Sequence, residues 1–175
     1  MAPRSLWLLR HAKTVRHPPV GGSDHERTLA PRGRRDADAL GQHLGDHGDH
    51  LGLSEDLMPA LVLCSTAVRT VETIDRVLAG LAVPPPVRYL RALYDASTED
   101  VLEQVSMVED DVASVMVVGH NPTFEVLVAT MPTSTPGSLK GSFATCGLAV
   151  FEVPGRWDEI ALRSATVVGV FHPPF

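Results

Sequence analysis

Two cysteines, Cys64 and Cys146, in 175 residues leave little room for sulfur chemistry. Each lies inside an apolar run and neither has a CxxC neighbour. Two buried reduced thiols are expected, with a disulfide as the alternative and sulfur-borne metal or redox chemistry excluded. Aromatic residues make up only 5% of the chain, so Trp7 and Trp157 read as packing residues rather than stacking platforms. Basic charge is also in deficit. Fifteen Lys and Arg against twenty-one Asp and Glu give a net charge of -6, which offers no footprint for nucleic acid. No apolar run is long enough to span a membrane, and the run at 6–9 is too short for the core of a signal peptide. A cytoplasmic protein without nucleic-acid or membrane partners is expected.

What is present is ordinary globular material, 44% hydrophobic and 21% charged, enough for one domain over 1–175 with a single sizeable core. Residues 6–9, 61–64 and 115–118 are short continuous apolar runs, the signature of strands buried on both faces. Residues 87–90 suggest a further strand after the stiff Pro84-Pro85-Pro86 connector. Two more are expected at 147–153 and 160–168, joined by a turn at Pro154-Gly155. Helical spacing follows Pro31 (Ala37, Leu40, Leu44), covers 67–78 (Ala67, Val71, Ile74, Leu78), recurs after a Ser97 or Thr98 cap, and resumes beyond Pro122. The stretch 132–143 is rich in Thr, Ser, Pro and Gly and reads as a long loop. Alternation of this kind predicts an α/β fold, a three-layer α/β/α sandwich around a mostly parallel central sheet. Its functional loops would lie beyond the carboxyl ends of the strands.

Three of those strand ends carry chemistry: Arg10-His11, Ser65 to Arg69, and His120. A lone histidine at a strand end usually caps or faces solvent. Two arginines and two histidines recurring at equivalent places predict instead one pocket for a dianion. Guanidinium forks match phosphate oxygens and keep their charge, and imidazole can attack phosphorus or donate to its oxygens.

The residues also resemble a known family. Leu9-Arg10-His11-Ala12 resembles the RHG signature of the histidine phosphatase superfamily, with Ala12 for the usual glycine. The segment Ser65-Thr66-Ala67-Val68-Arg69-Thr70-Val71-Glu72-Thr73 is similar to its SxAxRTxET segment, and Val118-Gly119-His120-Asn121-Pro122 to its GH[NS]P segment. The short chain, the RHAK start and Arg27-Thr28-Leu29-Ala30-Pro31-Arg32-Gly33 are nearest to the SixA-like phosphohistidine phosphatases. Ala30 stands where Thr or Ser commonly precedes Pro31, which should weaken the helix cap by about 1 kcal/mol.

The resemblance implies a phosphoglycerate mutase-like fold and a phosphatase without metal or organic cofactor. His11 would be the nucleophile, with Arg10, Arg69 and His120 on the nonbridging oxygens. Nearby positive charge should keep His11 neutral. Ser65 and Asn121 are plausible supporting partners, and Lys13 and Thr14 either join the phosphate mouth or form a solvated loop. A general acid, by the same resemblance, should fall near residues 92–96, where Asp95 is the candidate and a plain turn residue the alternative; Glu99 and Glu26 are weaker choices. Imidazole leaves phosphorus more easily than an alkoxide, so a poorly placed acid would favour phosphohistidine on a protein over sugar phosphates. Small phosphorylated substrates, a mutase activity and a silent phosphoprotein-binding module are the competing readings. His43, His47 and His50 read as a solvated helix end, since no second His- or Cys-rich segment completes a metal site. His25 and Arg27 could reach substrate, although nothing in the sequence requires it. Oligomeric state is not encoded legibly.

Overall fold

The computed structural model describes residues 4–45, 53, 57–134 and 142–175. In chain order these form β1 (Arg4–Arg10), α1 (Pro31–Gly45), β2 (Leu61–Ser65), α2 (Val68–Ala79), β3 (Val87–Leu90), α3 (Thr98–Ser106), β4 (Ser114–Gly119), α4 (Thr123–Thr130), β5 (Leu148–Val153) and β6 (Thr166–Phe171). Short 3-10 turns at Asp24–Glu26, Arg91–Leu93 and Trp157–Glu159 interrupt the connections. The strands make one sheet in the order β3-β2-β4-β1-β5-β6. β3, β2, β4 and β1 run parallel, whereas β5 and β6 are antiparallel additions at one edge.

Side-chain alternation along the central strands explains the layers. Leu6 and Leu8 of β1, with Val115 and Val117 of β4, face a core shared with Val101, Val105, Phe124 and Leu127 of α3 and α4. Trp7, Leu9, Met116 and Val118 point the other way, against Leu40, Ile74 and Val77 of α1 and α2. A sheet covered on both faces needs apolar residues at every position, hence the unbroken runs in the sequence. α1 and α2 step outward to β3 on one face and α3 returns to β4 on the other, as right-handed crossovers require. The α1–α2 contact is close enough that a Cβ on Gly41 would lie 2.6 Å from the Val77 carbonyl.

Local signals explain most element ends. The Ser97 hydroxyl accepts from the Asp100 N–H while the Asp100 carboxylate accepts from the Ser97 N–H, a capping box that starts α3. Ala30 begins α1 through its carbonyl, which accepts from Arg34 N–H at 3.0 Å, and has no side-chain acceptor to add. Cys64 and Cys146 are free and buried, and burial pushes both thiols up to about 12, so they stay protonated.

The last strand differs from the sequence expectation of 160–168. It begins at Thr166 and ends at Phe171. The preceding stretch is anchored elsewhere. Trp157 is buried with its indole N–H on the Val112 carbonyl. The N–H groups of Arg163, Ser164 and Ala165 are donated to the Thr130 and Met131 carbonyls at the end of α4. Arg163 adopts a left-handed φ of 59° to make this turn. These bonds draw the backbone away from β5, so pairing starts later and the link from β5 exceeds a tight hairpin. Most of the expected 132–143 loop (135–141), and His47 and His50, lie outside the described residues. No described helix is long and apolar enough to cross a membrane.

Candidate active site

Because β2, β4 and β1 are adjacent and parallel, their carboxyl ends share one edge of the sheet. Register then decides which residues meet. Arg10 pairs with Gly119 and Cys64 with Val118, so His11, His120 and Ser65 emerge side by side. His11 is fixed at main-chain level: its N–H donates to the Gly119 carbonyl at 3.1 Å, and its carbonyl accepts from Cys146 N–H at 3.1 Å. The His11 and His120 ring centroids are 5.3 Å apart, tilted by 54°. The expected gathering of these side chains from distant parts of the chain is therefore a direct product of sheet order.

Hydrogen bonding fixes the tautomer of His11. His11 Nδ1 lies 2.9 Å from the Ala12 carbonyl. A carbonyl can only accept, so Nδ1 carries the proton and the Nε2 lone pair is free. His120 Nε2 lies 2.8 Å from Ser65 Oγ. The Ser65 hydroxyl accepts from Ala67 N–H at 3.4 Å and keeps both its own proton and a second lone pair, so this bond is satisfied by either tautomer of His120. His120 Nδ1 is buried and has no partner among the described residues. His11 thus offers a lone pair beside a second neutral imidazole.

Both rings are neutral at pH 7. Burial, followed by the charges of Arg69, Arg10 and Arg27, pushes His11 down to about 4, against the opposing Ala12 hydrogen bond. His11 is only 8% exposed. His120 is pushed down to about 3, first by burial and then by His11 and Arg69, with Asp24 opposing.

Three guanidinium groups surround the imidazoles. Arg10 Nη1 donates to the Phe143 carbonyl; burial lowers its pKa and Glu125 raises it, but a guanidinium keeps its charge regardless. Arg69, on the first turn of α2, is buried and donates to Asp24 through both terminal nitrogens. Arg27 reaches Asp24 Oδ1 at 3.0 Å. The Nε atoms of Arg10, Arg27 and Arg69 are buried without partners among the described residues. Guanidinium groups gathered beside two neutral imidazoles are a donor set for an anion with several oxygens. A cleft of about 460 Å³, lined by Arg69, His120, Asn121, Asp24 and Asp95 among others, opens beside them.

The motif residues that do not face the cleft brace it. Thr73 Oγ1 accepts from Ala12 N–H at 3.0 Å and donates to the Arg69 carbonyl, tying the residue after His11 to the helix that bears Arg69. Glu72 accepts from Leu29 N–H and from Arg34 Nε, holding the 27–34 segment. A Cβ on Gly33 would lie 2.1 Å from the Lys13 carbonyl, so only glycine lets α1 approach the loop after His11 this closely.

The other sequence candidates are dispersed. Asn121 lines the cleft and donates to Glu125 and to the Phe143 carbonyl, each at 3.1 Å. Asp95 is exposed at a left-handed φ of 57° and also lines the cleft. Lys13 is exposed and contributes its carbonyl to Ala30 N–H. Thr14 bridges to Leu29 through the backbone. Glu26 is consumed by a capping box with Ser23, and the exposed Glu99 accepts from Thr98.

Asp24, Tyr94 and Glu125 join the site without a motif to announce them, and Arg27 joins them. Tyr94 is stacked edge-on against His25 at 4.8 Å and His120 at 5.7 Å, with Arg91 4.4 Å above its ring. Glu125 accepts from Phe143 N–H and Asn121, fixing the carbonyl that holds Arg10. The only sequence signal for Glu125 was an acidic residue in the first turn of α4. No group of three or more His, Cys, Asp or Glu among the described residues is arranged to hold a metal ion.

No family model matches the sequence. An uncharacterised protein of Mycobacterium tuberculosis is 36% identical over 174 residues, covering 95% of this chain and 99% of that one. Among solved structures, a protein from Nakamurella multipartitia provisionally assigned as the phosphohistidine phosphatase SixA is 32% identical with a TM-score of 0.81, over 100% of this chain and 99% of that one. A protein of the same provisional assignment from Agrobacterium tumefaciens is 27% identical with a TM-score of 0.79, over 99% and 100%. The sheet order, the three motifs and these full-length likenesses agree: the chain belongs to the histidine phosphatase superfamily, in its SixA-like branch.

Proposed function

We propose that this protein is a phosphatase that forms a covalent phosphohistidine on His11, with phosphohistidine on a partner protein as its substrate. The observation that carries the reading is the pair of neutral imidazoles, His11 with a free Nε2 lone pair, close to the charges of Arg10, Arg27 and Arg69. His11 Nε2 attacks phosphorus, and the bond from phosphorus to the leaving atom breaks as the N–P bond forms. Arg10, Arg69, Arg27 and His120 bind the nonbridging oxygens, where charge spreads in the transition state. Water then attacks the phosphoenzyme, releasing inorganic phosphate and returning the His11 lone pair. No step calls for a metal or organic cofactor. Asn121 completes the mouth of the pocket, Ser65 holds the His120 ring through Nε2, and Lys13 and Thr14 serve the loop after His11 through their backbones.

Asp95 is the proposed proton donor for poor leaving groups. Its exposed loop position suits an acid that phosphohistidine hydrolysis scarcely needs, since a substrate ring protonated by solvent on its other nitrogen leaves as neutral imidazole. The place of Asp95 on the cleft wall also favours a second reading, slow hydrolysis of small phosphomonoesters. The proposed setting is the cytoplasm.

The test compares a phosphohistidine peptide with a hexose phosphate. The proposal expects kcat/KM to favour the peptide by about a hundredfold or more, on the scale of one general-acid contribution. Equal turnover of the two would remove the substrate assignment, while activity unchanged in His11→Ala would remove the mechanism.

A further inference from the structure

Arginines that must receive a dianion need to be held before it arrives, because a long flexible side chain loses much of its binding energy to ordering. For Arg69 the holder is Asp24. Arg69 Nη1 donates to the main-chain carbonyl of Asp24 at 2.8 Å, and Nη2 to its Oδ2 at 3.0 Å. The same Oδ2 accepts from the Tyr94 hydroxyl at 3.0 Å, and Oδ1 takes Arg27 Nη2 at 3.0 Å. One carboxylate therefore joins two arginines, a tyrosine and the 3-10 turn at Asp24–Glu26.

We propose that Asp24 is a positioning residue for the phosphoryl-binding arginines, gripping Arg69 and Arg27 by terminal nitrogens so that their remaining N–H donors are held in place for the anion. The inference rests on the reading above that these arginines receive the phosphoryl group. Two observations support gripping over competition. Asp24 engages two of the five N–H donors of Arg69, so the grip does not use up the guanidinium. The Asp24 side chain is also 54% exposed while that of Arg69 is 7% exposed. Solvent screens the repulsion between Asp24 and a bound dianion, whereas the buried guanidinium depends on its hydrogen bonds for its place.

The two possibilities predict opposite signs. If Asp24 merely repels phosphate, its removal tightens anion binding; if it positions the arginines, removal weakens it. The probe is orthovanadate, titrated by calorimetry so that turnover plays no part. Asp24→Ala is expected to weaken vanadate binding about tenfold, the loss of one charge-assisted hydrogen bond. The Asp24 carbonyl survives this change and limits the effect. Asp24→Asn should fall between wild type and Asp24→Ala. Tyr94→Phe should weaken binding about threefold, and the double variant Asp24→Ala, Tyr94→Phe should be no weaker than Asp24→Ala alone, since both act through one oxygen. Should Asp24→Ala fold poorly by thermal melt, Asp24→Asn and Tyr94→Phe carry the test. In turnover, KM should rise more than kcat falls. Unchanged or tighter vanadate binding in folded Asp24 variants overturns the proposal. Failure of the wild-type protein to bind vanadate strikes the functional reading instead.

Discussion

His11 and Asp95 both belong to the proposed reaction, yet the fold supports them differently. His11 follows a central strand, is 8% exposed, and is held by main-chain bonds to the Gly119 carbonyl and Cys146 N–H. Asp95 sits on an exposed loop at φ 57° between a 3-10 turn and α3. The same contrast separates Ser65 and His120, set by strand register, from Asp24 and Tyr94, set by side-chain contacts between loops. On the proposed mechanism, the difference assigns phosphoryl transfer to groups fixed by the sheet and selection of the leaving group to loop segments that can vary without disturbing it.

Mutations at the sheet edge should therefore cost the most and should not discriminate between substrates. Arg69→Ala is expected to lower kcat/KM by about a hundredfold or more for every phosphorylated substrate, the scale of one lost transition-state donor. Arg69→Lys should recover little, because an ammonium cannot bond Asp24 and a phosphoryl oxygen with the geometry of a guanidinium. Full activity in Arg69→Lys would break the comparison. Asp95→Asn should act selectively, lowering hexose phosphate turnover by about tenfold or more while leaving phosphohistidine turnover within about twofold of wild type. Equal losses on both substrates would place Asp95 with the sheet-edge groups.

A smaller effect concerns stability. His11 is held near 4 when folded, against 6.5 for an ordinary histidine. Between those values the unfolded chain binds a proton that the folded chain does not, so stability rises with pH through this window and is lost as pH falls. The His11 contribution is intact above about 6.5 and declines by up to about 1.4 kcal/mol per pH unit toward pH 4. His120, held near 3, acts in the same direction. Urea melts of wild type and His11→Gln should therefore converge as pH falls from 7 to 5. Parallel curves would show that burial does not suppress the His11 charge.

The contrast between the two regions also tracks what the sequence made legible. β2 and β4 stand out because burial on both faces demands apolar residues throughout, and the residues after them inherit their places from the sheet. Arg10, His11, Arg69 and His120 could be named because each follows such a strand within a recognisable motif. Asp24 could not. Its partners Arg69 and Tyr94 are 45 and 70 residues away, and no local period encodes an ion pair across that separation. The last strand was misplaced for a related reason, since the carbonyls of Thr130 and Met131 that capture residues 163–165 leave no trace in local hydrophobicity.

The central claim is that His11 Nε2 carries the phosphoryl group in turn. Brief reaction with a phosphoryl donor, quenching in base and mapping of the acid-labile phosphate by mass spectrometry tests it directly. The account predicts label on His11 alone, borne on Nε2, and none after His11→Ala. Label on another residue, or full turnover in His11→Ala, would contradict it.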